Sequence, residues 1–403
     1  MHLPVQTVTG NGEACLRGRK AQPNTLSIKI LKKSYMENIL LLLAGIVIAA
    51  YMGRRIIPKI LVISMRKRLF DVPDERKVHK RPVPRLGGVT FFPVILFVIC
   101  ILTMYRVIVD QLPNSNFTPA NTTEMLSLFA GLTLLYIIGI GDDLVGIRYR
   151  NKFKIQILAS ALFPIAGLYI NNFYGLLGIH ELTPFIGIPL TMLLVIFITN
   201  AINLIDGIDG LASSICIVAL STFGFLFIQD QLWLYAQVAF ICVGVLIPFF
   251  IYNLFGNADR GRKIFMGDTG SLTLGYILSF LVIKHCMYVG DDSFHTEGAP
   301  IVIAFSILLV PCLDVIRVVL GRLRRHKNPF LPDKTHIHHK FMAMGFTPHM
   351  SLILIQCISV SLIILSLLLT HYQVDVNVVF FLDVAIWTEL NIWFTKVINR
   401  KQT

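Results

Sequence analysis

The sequence predicts an all-α, polytopic membrane protein in which about eleven transmembrane helices form one bundle. Three observations predict this class. Of the 403 residues, 55% are hydrophobic and only 15% are charged. The mean hydropathy is +0.70, and apolar stretches of about 18 residues or more recur, which is the length that spans a bilayer as a helix. The connectors are short, so residues 36–403 are expected to form a single transmembrane domain.

Eleven stretches are apolar and long enough to cross about 30 Å of hydrocarbon at about 1.5 Å per residue. We predict spans at residues 38–62, 87–108, 124–141, 154–171, 184–203, 211–229, 231–252, 270–289, 299–320, 349–371 and 375–395. Seven cysteines stand singly, without the CxxC spacing of a metal site, and are expected to pack as apolar side chains.

Lysine and arginine cluster in alternate connectors, namely 65–86, 142–154, 253–269, 321–348 and the tail. If the spans alternate, these segments share one side, which the positive-inside rule makes cytoplasmic. The C-terminus is then inside and the N-terminus outside, in the inner (plasma) membrane. The net charge of +13 is therefore explained by the basic connectors on the cytoplasmic side. No soluble basic domain predicts nucleic-acid binding; a basic rim suits membrane lipid headgroups and phosphorylated substrates.

The first 35 residues do not fit this pattern, because they lack periodicity and carry six basic residues on the predicted outer side. Met36 begins "MENILLLLAGIVIAAYMGRR", a natural start for the first span. We therefore expect residues 1–35 to be a disordered leader or a start-site artefact. Mass spectrometry of the native N-terminus tests this expectation, which a peptide from residues 1–20 would contradict.

Dense polar motifs occur at the ends of the predicted spans, all on the predicted cytoplasmic side. Charged residues at membrane depth are costly and generally mark function. The motifs are "DVPDERKVHKRPVPRLGG" (71–88), "GIGDDLVGIRYRNKFKIQ" (139–156), "NAINLIDGIDGLA" (200–212), "KIFMGDTGSLTLGY" (263–276) and "PDKTHIHHKF" (332–341). The glycine pair that ends the first motif would let the backbone approach a ligand or a neighbouring helix closely.

Asp142 and Asp143 stand side by side at the inner end of the third predicted span. Adjacent carboxylates repel each other and need a cation or a shared proton, and such hard oxygen ligands suit Mg²⁺ or Mn²⁺. The alternative is a solvated helix terminus. Acids are disfavoured at a helix C-terminus, where the dipole is negative, so the pattern favours a functional pair.

Asn200, Asn203, Asp206 and Asp209 follow one another at intervals of three. A continuing helix would align them on one stripe, although two glycines predict that the helix loosens near 206–210. In either conformation, one face of this segment presents amide and carboxylate side chains. The amides could hydrogen-bond to a nucleobase or an acetamido group. The carboxylates could bind a metal ion or accept a hydrogen bond from an N–H group. A buried network between spans is the alternative, and it explains the asparagines better than the aspartates.

The last two motifs suit anionic groups. Asp268 lies in a glycine-rich turn before the eighth span, where free N–H groups would hold an anion and Asp268 would cap the helix or bind a metal. His336, His338 and His339 could bind a transition metal or, when protonated, a phosphate. Their lysine neighbours favour phosphate.

In order and spacing, these motifs resemble those of the polyprenyl-phosphate N-acetylhexosamine-1-phosphate transferases, the glycosyltransferase 4 family. The resemblance covers about residues 66–345. Eleven spans and "HIHH" indicate the branch that uses UDP-N-acetylglucosamine. The muramoyl-pentapeptide transferases, which have a longer histidine run and typically ten spans, are the alternative.

The resemblance implies a reaction in which a UDP-N-acetylhexosamine and polyprenyl (undecaprenyl) phosphate give a lipid-diphospho-sugar and UMP. This is the first membrane step of a cell-surface glycan pathway, and the resemblance implies that it uses Mg²⁺, with Mn²⁺ as a substitute. An assembly as a homodimer is compatible with the family.

The resemblance also implies roles for individual residues. Asp268 would be a Mg²⁺ ligand, and the Asp142–Asp143 pair would complete the metal site and position or deprotonate the lipid phosphate. On the nucleotide side it implies Lys80 near the uridine, and Asn203, Asp206 and Asp209 along the wall. The three histidines would lie near the diphosphate. One departure is that "YNLFGNADRGRKIFMGD" lacks the Pro-Ala of many members, so the resemblance does not decide whether Asn253 contacts the base.

Two other classes fit less well. "DGIDGLA" resembles part of the CDP-alcohol phosphatidyltransferase motif, but Ser213 stands where that motif has arginine. A cation transporter would also carry carboxylates in a membrane bundle. It would place them near the bilayer midplane, often in repeated halves, whereas these acids cluster at one face and no internal repeat is evident.

Overall fold

The computed structural model describes residues 25–70, 83–110, 118–287, 300–326 and 335–402. Throughout these ranges the chain is helical or forms connecting turns, and it contains no β-strand beyond an isolated bridge between Asn172 and Glu181. The predicted all-α class is confirmed.

The described ranges contain thirteen α-helices and two short 3₁₀ turns. The helices are α1 (Thr25–Lys67), α2 (Phe91–Asp110), α3 (Pro119–Val145), α4 (Tyr149–Ile165), α5 (Pro184–Ile205), α6 (Leu211–Gln229), α7 (Trp233–Leu254), α8 (Gly267–Cys286), α9 (Pro300–Ile307), α10 (Leu309–Arg324), α11 (Ile337–Ala343), α12 (Pro348–His371) and α13 (Val376–Gln402). The 3₁₀ turns are Gly87–Thr90 and Leu176–Gly178.

Eight of these helices are long and apolar enough to cross a membrane, or nine if α9 and α10, which meet at 72°, form one broken span. The eight are α1, α2, α3, α5, α6, α7, α12 and α13. The predicted spans 154–171 and 270–289 overlap α4 and α8, which are not among these eight. The chain is thus a multi-pass helical membrane protein, while the count of eleven and the orientation of the termini stay predictions.

The chain divides into two compact units, one ending at Leu40 and one running from Leu41. The predicted leader falls largely on residues 1–24, which lie outside the described ranges, and residues 25–35 are helical. The site described below lies entirely in the second unit.

Helix α8 is almost completely buried and packs against α3 and α5. Glycines allow these backbones to approach it closely. A Cβ on Gly139 would lie 2.6 Å from the Cα of Thr269, and a Cβ on Gly275 would lie 2.6 Å from the Cα of Thr199. Because α3 and α5 are held this closely, their polar ends meet the first turn of α8.

A buried ionic cluster joins α3, α7 and α8 at the other end of α8. The ammonium of Lys284 lies 2.9 Å from Glu124 Oε1 and 4.7 Å from the centroid of the Tyr235 ring. The Tyr235 hydroxyl donates a hydrogen bond to Glu124 Oε2. These three side chains therefore satisfy one another's polar groups at largely buried positions.

We expect Lys284→Ala to lower the free energy of unfolding by about 3–5 kcal/mol, because it leaves the buried Glu124 carboxylate without its countercharge. The double variant Glu124→Leu/Lys284→Leu, which removes both charges, should be less destabilised than the single one. Thermal unfolding in detergent measures both. A single variant no less stable than the double one would contradict the ion pair.

Candidate active site

Polar side chains from four of the sequence motifs meet at one end of the bundle. Helices α3 and α5 end there, α6 and α8 begin there, and the short α11 packs nearby. Residues 83–88, the described part of the first motif, form backbone hydrogen bonds with the segment that precedes α8. Residues far apart in the chain thus form one cluster.

Asp143 holds the first turn of α8. Its Oδ1 accepts a hydrogen bond from the Asp268 N–H at 2.7 Å, and its Oδ2 accepts from the N–H and hydroxyl of Thr269 at 2.9 and 2.5 Å. A helix N-terminus offers unpaired N–H groups and the positive end of the dipole. The anion cradle predicted in this motif is therefore filled by a carboxylate of the protein itself, which explains an acid at the end of α3.

The turn before α8 requires glycine. Gly267 has a φ of +71°, and a Cβ there would lie 2.6 Å from both carboxylate oxygens of Asp143. The chain enters this turn beside the first motif, where Gly88 N–H donates to the Met266 carbonyl at 2.8 Å. A Cβ on Gly88 would lie 2.1 Å from the Gly270 nitrogen. The glycine pair thus serves a close backbone approach, as its sequence predicts.

Asp142 and Asp268 face a single ammonium group. Asp142 Oδ1 accepts from the Ile147 N–H at 2.6 Å, while its Oδ2 lies 3.3 Å from Lys152 Nζ. The same Nζ forms an ion pair with Asp268 Oδ2. The sequence alone does not single out Lys152, which stands in a basic run that topology already explains.

Two carboxylates around one cation form a donor set that fits Mg²⁺, because this ion prefers oxygen ligands. Within the described ranges, no group of three or more His, Cys, Asp or Glu side chains could hold a metal by itself. A divalent cation at Asp142 and Asp268 would therefore take its remaining ligands from water and substrate phosphates, as Mg²⁺ commonly does.

The second carboxylate oxygen of Asp268 is held by an amide. Asn203 Nδ2 donates to Asp268 Oδ1 at 3.1 Å and to Ser271 Oγ at 2.8 Å. Asn200, one turn earlier on α5, instead forms two amide hydrogen bonds with Gln156 of α4, at 2.8 and 3.3 Å. Of the two asparagines, Asn203 lies at the site and Asn200 braces two helices.

Helix α5 ends at Ile205 and Gly210 has a φ of +80°, so the helix loosens where its glycines predict. Asp209 pairs with Lys263 at 2.5 Å. Burial, then the like charge of Asp209, raises the pKa of Asp206 to about 7, against the opposing effect of Arg85. The Asp206 carboxyl is therefore partly protonated at neutral pH.

Asn253 ties this loop to the next motif. Its Oδ1 accepts from the Gly210 N–H at 2.6 Å, and its Nδ2 donates to the Ile264 carbonyl at 2.8 Å. The side chain is 4% exposed. Asn253 is thus a brace between the two loops.

The histidine motif is anchored by an acid of α10. His336 Nδ1 lies 2.8 Å from Asp314 Oδ2, and Asp314 Oδ1 accepts from the Ile337 N–H at 3.0 Å and from Arg317 at 2.7 Å. This buried aspartate was not predicted as a site residue. The available signal was a single acid within the apolar segment "LVPCLDVIRVV", which the cost of burying a charge marks as functional.

His338 connects the histidine motif to the loop after α5. A Cβ on Gly207 would lie 2.2 Å from His338 Nε2, and the rings of His338 and His339 are 4.2 Å apart. Burial, then the neighbouring histidines, lowers the pKa of His338 to about 3. This shift favours the neutral imidazole for His338, so the phosphate contact expected of the three rings stays a prediction.

Of the predicted site residues, the structure brings together Asp142, Asp143, Asn203 and Asp268 by direct or shared contacts. Asp206 and Asp209 lie on the adjoining loop, against which the histidine motif packs through His338. Lys80 lies outside the described residues. Carboxylates, amides, a lysine and imidazoles gathered in this way in a multi-pass helical protein suit the class of membrane enzymes that act on phosphorylated substrates.

Comparisons with known proteins narrow this class. Residues 125–285 match the model of glycosyl transferase family 4. The chain is 30% identical over 348 residues to a Bacillus subtilis (strain 168) protein named "Probable undecaprenyl-phosphate N-acetylglucosaminyl 1-phosphate transferase", covering 86% of this chain and 90% of that one.

Two further relatives carry the name undecaprenyl-phosphate alpha-N-acetylglucosaminyl 1-phosphate transferase. The Yersinia pestis protein is 30% identical and the Escherichia coli (strain K12) protein 28% identical, each over 296 residues that cover 73% of this chain and 74% of the relative. The chain therefore belongs to glycosyl transferase family 4, which confirms the resemblance drawn from the motifs.

Proposed function

We propose that the protein transfers N-acetylglucosamine 1-phosphate from its UDP derivative to undecaprenyl phosphate and releases UMP. The observation that carries this proposal is the Asp268 carboxylate, which is held by Asn203 and Lys152 beside Asp142. Such a site suits a metal-bound diphosphate. The names of the relatives support both the lipid and the sugar.

In the proposed reaction, an oxygen of the lipid phosphate attacks the phosphorus that carries the sugar. The bond from this phosphorus to the bridging oxygen of the diphosphate breaks, and UMP leaves with that oxygen. One phosphoanhydride replaces another, so the step lies near equilibrium and is reversible. The protein therefore has to position the lipid phosphate and the diphosphate of the nucleotide sugar, and to reduce the electrostatic repulsion between them.

Asp142 and Asp268 would hold Mg²⁺, or Mn²⁺ in its place, and the bound ion would neutralise charge on the diphosphate. Lys152 adds a positive charge at the same point. Asp143 positions Asp268 by capping α8, and we propose this positioning role for it beside its place in the metal site.

We propose that the remaining site residues bind the two substrates. Asn203, Asp206 and Asp209 would line the nucleotide side, with Lys80 near the uridine. His336, oriented by the buried Asp314, would act with His338 and His339 near the diphosphate. The Asp314 pairing leaves His336 Nε2 to meet a phosphate oxygen.

We place this site at the cytoplasmic face of the plasma membrane, with eleven spans and the C-terminus inside. The basic connectors support this orientation. The lipid phosphate would enter such a site laterally from the membrane, and the nucleotide sugar would enter it from the cytosol. Labelling of single cysteines introduced after Gln402 and near Asn121 in intact cells tests it, because only the second should react from outside.

The test of the function is UMP release by purified protein with undecaprenyl phosphate, UDP-N-acetylglucosamine and Mg²⁺, with mass spectrometry of the lipid product. We expect release that stops in EDTA and returns with Mg²⁺ or Mn²⁺. UDP-N-acetylgalactosamine and UDP-N-acetylmuramoyl-pentapeptide should react more slowly. No release from any of the three, with Asp268-dependent cation flux in liposomes, would favour a transporter instead.

We expect Gly207→Ala to reduce kcat for UMP release about 100-fold, because the added methyl group displaces the His338 ring and a shift of about 1 Å in an active site has an effect of this size. The matched control is Gly321→Ala on α10, where an added Cβ would lie 3.8 Å from the nearest atom. The measurement is the steady-state rate of UMP release by each of the two variants. Equal rates for both variants would show that the His338 position does not matter.

A further inference from the structure

A cleft of about 380 Å³ lies between α1 and α7, outside the candidate active site. Its walls are Tyr51, Arg54 and Arg55 of α1 and Tyr252 of α7. The guanidinium of Arg55 lies over the Tyr51 ring, 5.2 Å from its centroid. Tyr51 and both arginines are exposed, so the cleft opens on the outer surface of the bundle.

The two helices that form this cleft run parallel and in close contact. A Cβ on Gly53 would lie 2.9 Å from Pro248, and a Cβ on Gly244 would lie 2.9 Å from Ala49. This register brings Arg54 and Arg55 to the last turn of α7. Tyr252 directly precedes Asn253, which is bonded to the Gly210 loop of the active site. The cleft therefore lies at the same end of the bundle as the active site.

The surface around the cleft is apolar. Val47 on α1 and Ile251 on α7 are 66% and 52% exposed, as is typical of side chains that face acyl chains. Positive charges next to such a surface are stable where the hydrocarbon meets the headgroups. A simple topology signal would explain the arginines, but it would not require two tyrosines to complete a cleft around them.

We propose that this cleft binds the phosphate of an anionic phospholipid, whose acyl chains lie along the exposed apolar side chains of α1 and α7. Two guanidinium groups match the oxygens of a phosphate, and the tyrosine hydroxyls add donors. None of the described residues that line the cleft carries a carboxylate, so these residues offer nothing to activate or transfer a phosphoryl group. A bound membrane lipid fits these features better than a reacting substrate does.

The test is a thermal-shift titration of the purified full-length protein in neutral detergent. The probes are dioleoylphosphatidylglycerol, dioleoylphosphatidylcholine, undecaprenyl phosphate and inorganic phosphate. Phosphatidylglycerol should raise the Tm of the unmodified protein, and phosphatidylcholine and inorganic phosphate should not. Because each arginine near an anionic lipid contributes about a factor of five in affinity, Arg54→Gln/Arg55→Gln should require about 30-fold more phosphatidylglycerol for half of the shift.

The matched control is Lys59→Gln/Arg66→Gln, which removes two charges from the same helix outside the cleft. It should change the half-saturating concentration less than threefold. An equal change in both double variants would indicate only general surface charge and would overturn the site. Arginine dependence for undecaprenyl phosphate without any for phosphatidylglycerol would overturn the phospholipid assignment.

Folding is checked in the same samples by a cooperative thermal transition without added lipid, which both double variants should retain. If Arg54→Gln/Arg55→Gln does not fold, Tyr252→Phe replaces it and should weaken phosphatidylglycerol binding about tenfold through the lost hydroxyl donor. Unchanged binding by that variant would overturn the proposal. The thermal shift does not depend on catalysis, so its outcome is separate from that of the proposed transferase reaction.

Discussion

Asp268→Asn is expected to lower kcat for UMP release about 10³-fold while the protein stays folded. The substitution keeps the shape of the side chain and removes the negative charge that faces Lys152 and would hold the metal. Removing one preorganised electrostatic group from an active site typically costs 10² to 10³ in rate, and loss of a metal ligand adds to this. Asn203 still finds an acceptor in the new amide, so the local hydrogen bond survives.

The measurement is steady-state UMP release over a range of Mg²⁺ concentrations, with the Tm of each variant as a check on folding. Asp230→Asn is the matched control, because Asp230 follows the far end of α6, and its rate should stay within about twofold of the unmodified enzyme. A rate for Asp268→Asn within about tenfold of normal would remove Asp268 from the centre of the site.

Asp143→Ala is expected to lower both activity and stability, in contrast to Asp268→Asn. It deletes the acceptor of two backbone N–H groups and one hydroxyl at the start of α8. Loss of a helix cap costs about 0.5–2 kcal/mol, and each buried donor left unpaired costs about 1–3 kcal/mol. We expect a loss of about 2–4 kcal/mol in the free energy of unfolding and about 100-fold in kcat, since Asp268 loses its position.

Two variants separate this positioning role from a direct one. Asp143→Asn keeps one carbonyl acceptor and should recover part of the lost Tm. Thr269→Val removes only the hydroxyl donor and should reduce kcat by about tenfold or less. If Asp143→Ala loses activity but keeps its normal Tm, the residue acts on the substrate and not through α8.

Much of the fold is predictable from local sequence. Each predicted span coincides with one of the helices, or with the α9–α10 pair, because a long apolar stretch has few other ways to satisfy its backbone in a membrane. The end of α5 at Ile205 follows from the glycines after it. The number of membrane crossings is less predictable, since α4 and α8 carry polar ends that hydropathy alone does not resolve.

The chemical composition of the site is also predictable, but the partner of each residue is not. Asp142 and Asp143 are adjacent in sequence, yet one faces Lys152 and the other caps a helix 126 residues away from it. His338 is one of three similar histidines, yet it is the one whose ring packs most closely against Gly207 and whose pKa is lowered by burial. Such differences depend on how the helices are packed, and the composition of a motif does not encode this.

The sequence by itself determined the membrane class, the positions of the helices and the residue types at their polar ends, because these follow from local hydrophobicity and the cost of burying charge. Only the tertiary structure decided that Asp143 fills the anion cradle of α8, that Lys152 joins Asp142 to Asp268, and that Asp314 anchors the histidines. Most of these contacts join residues that are distant in the chain, and all of them join different segments. They arise only when α3, α4, α8 and α10 pack with their neighbours, since a charge in a buried setting is stable only beside the partner that packing supplies.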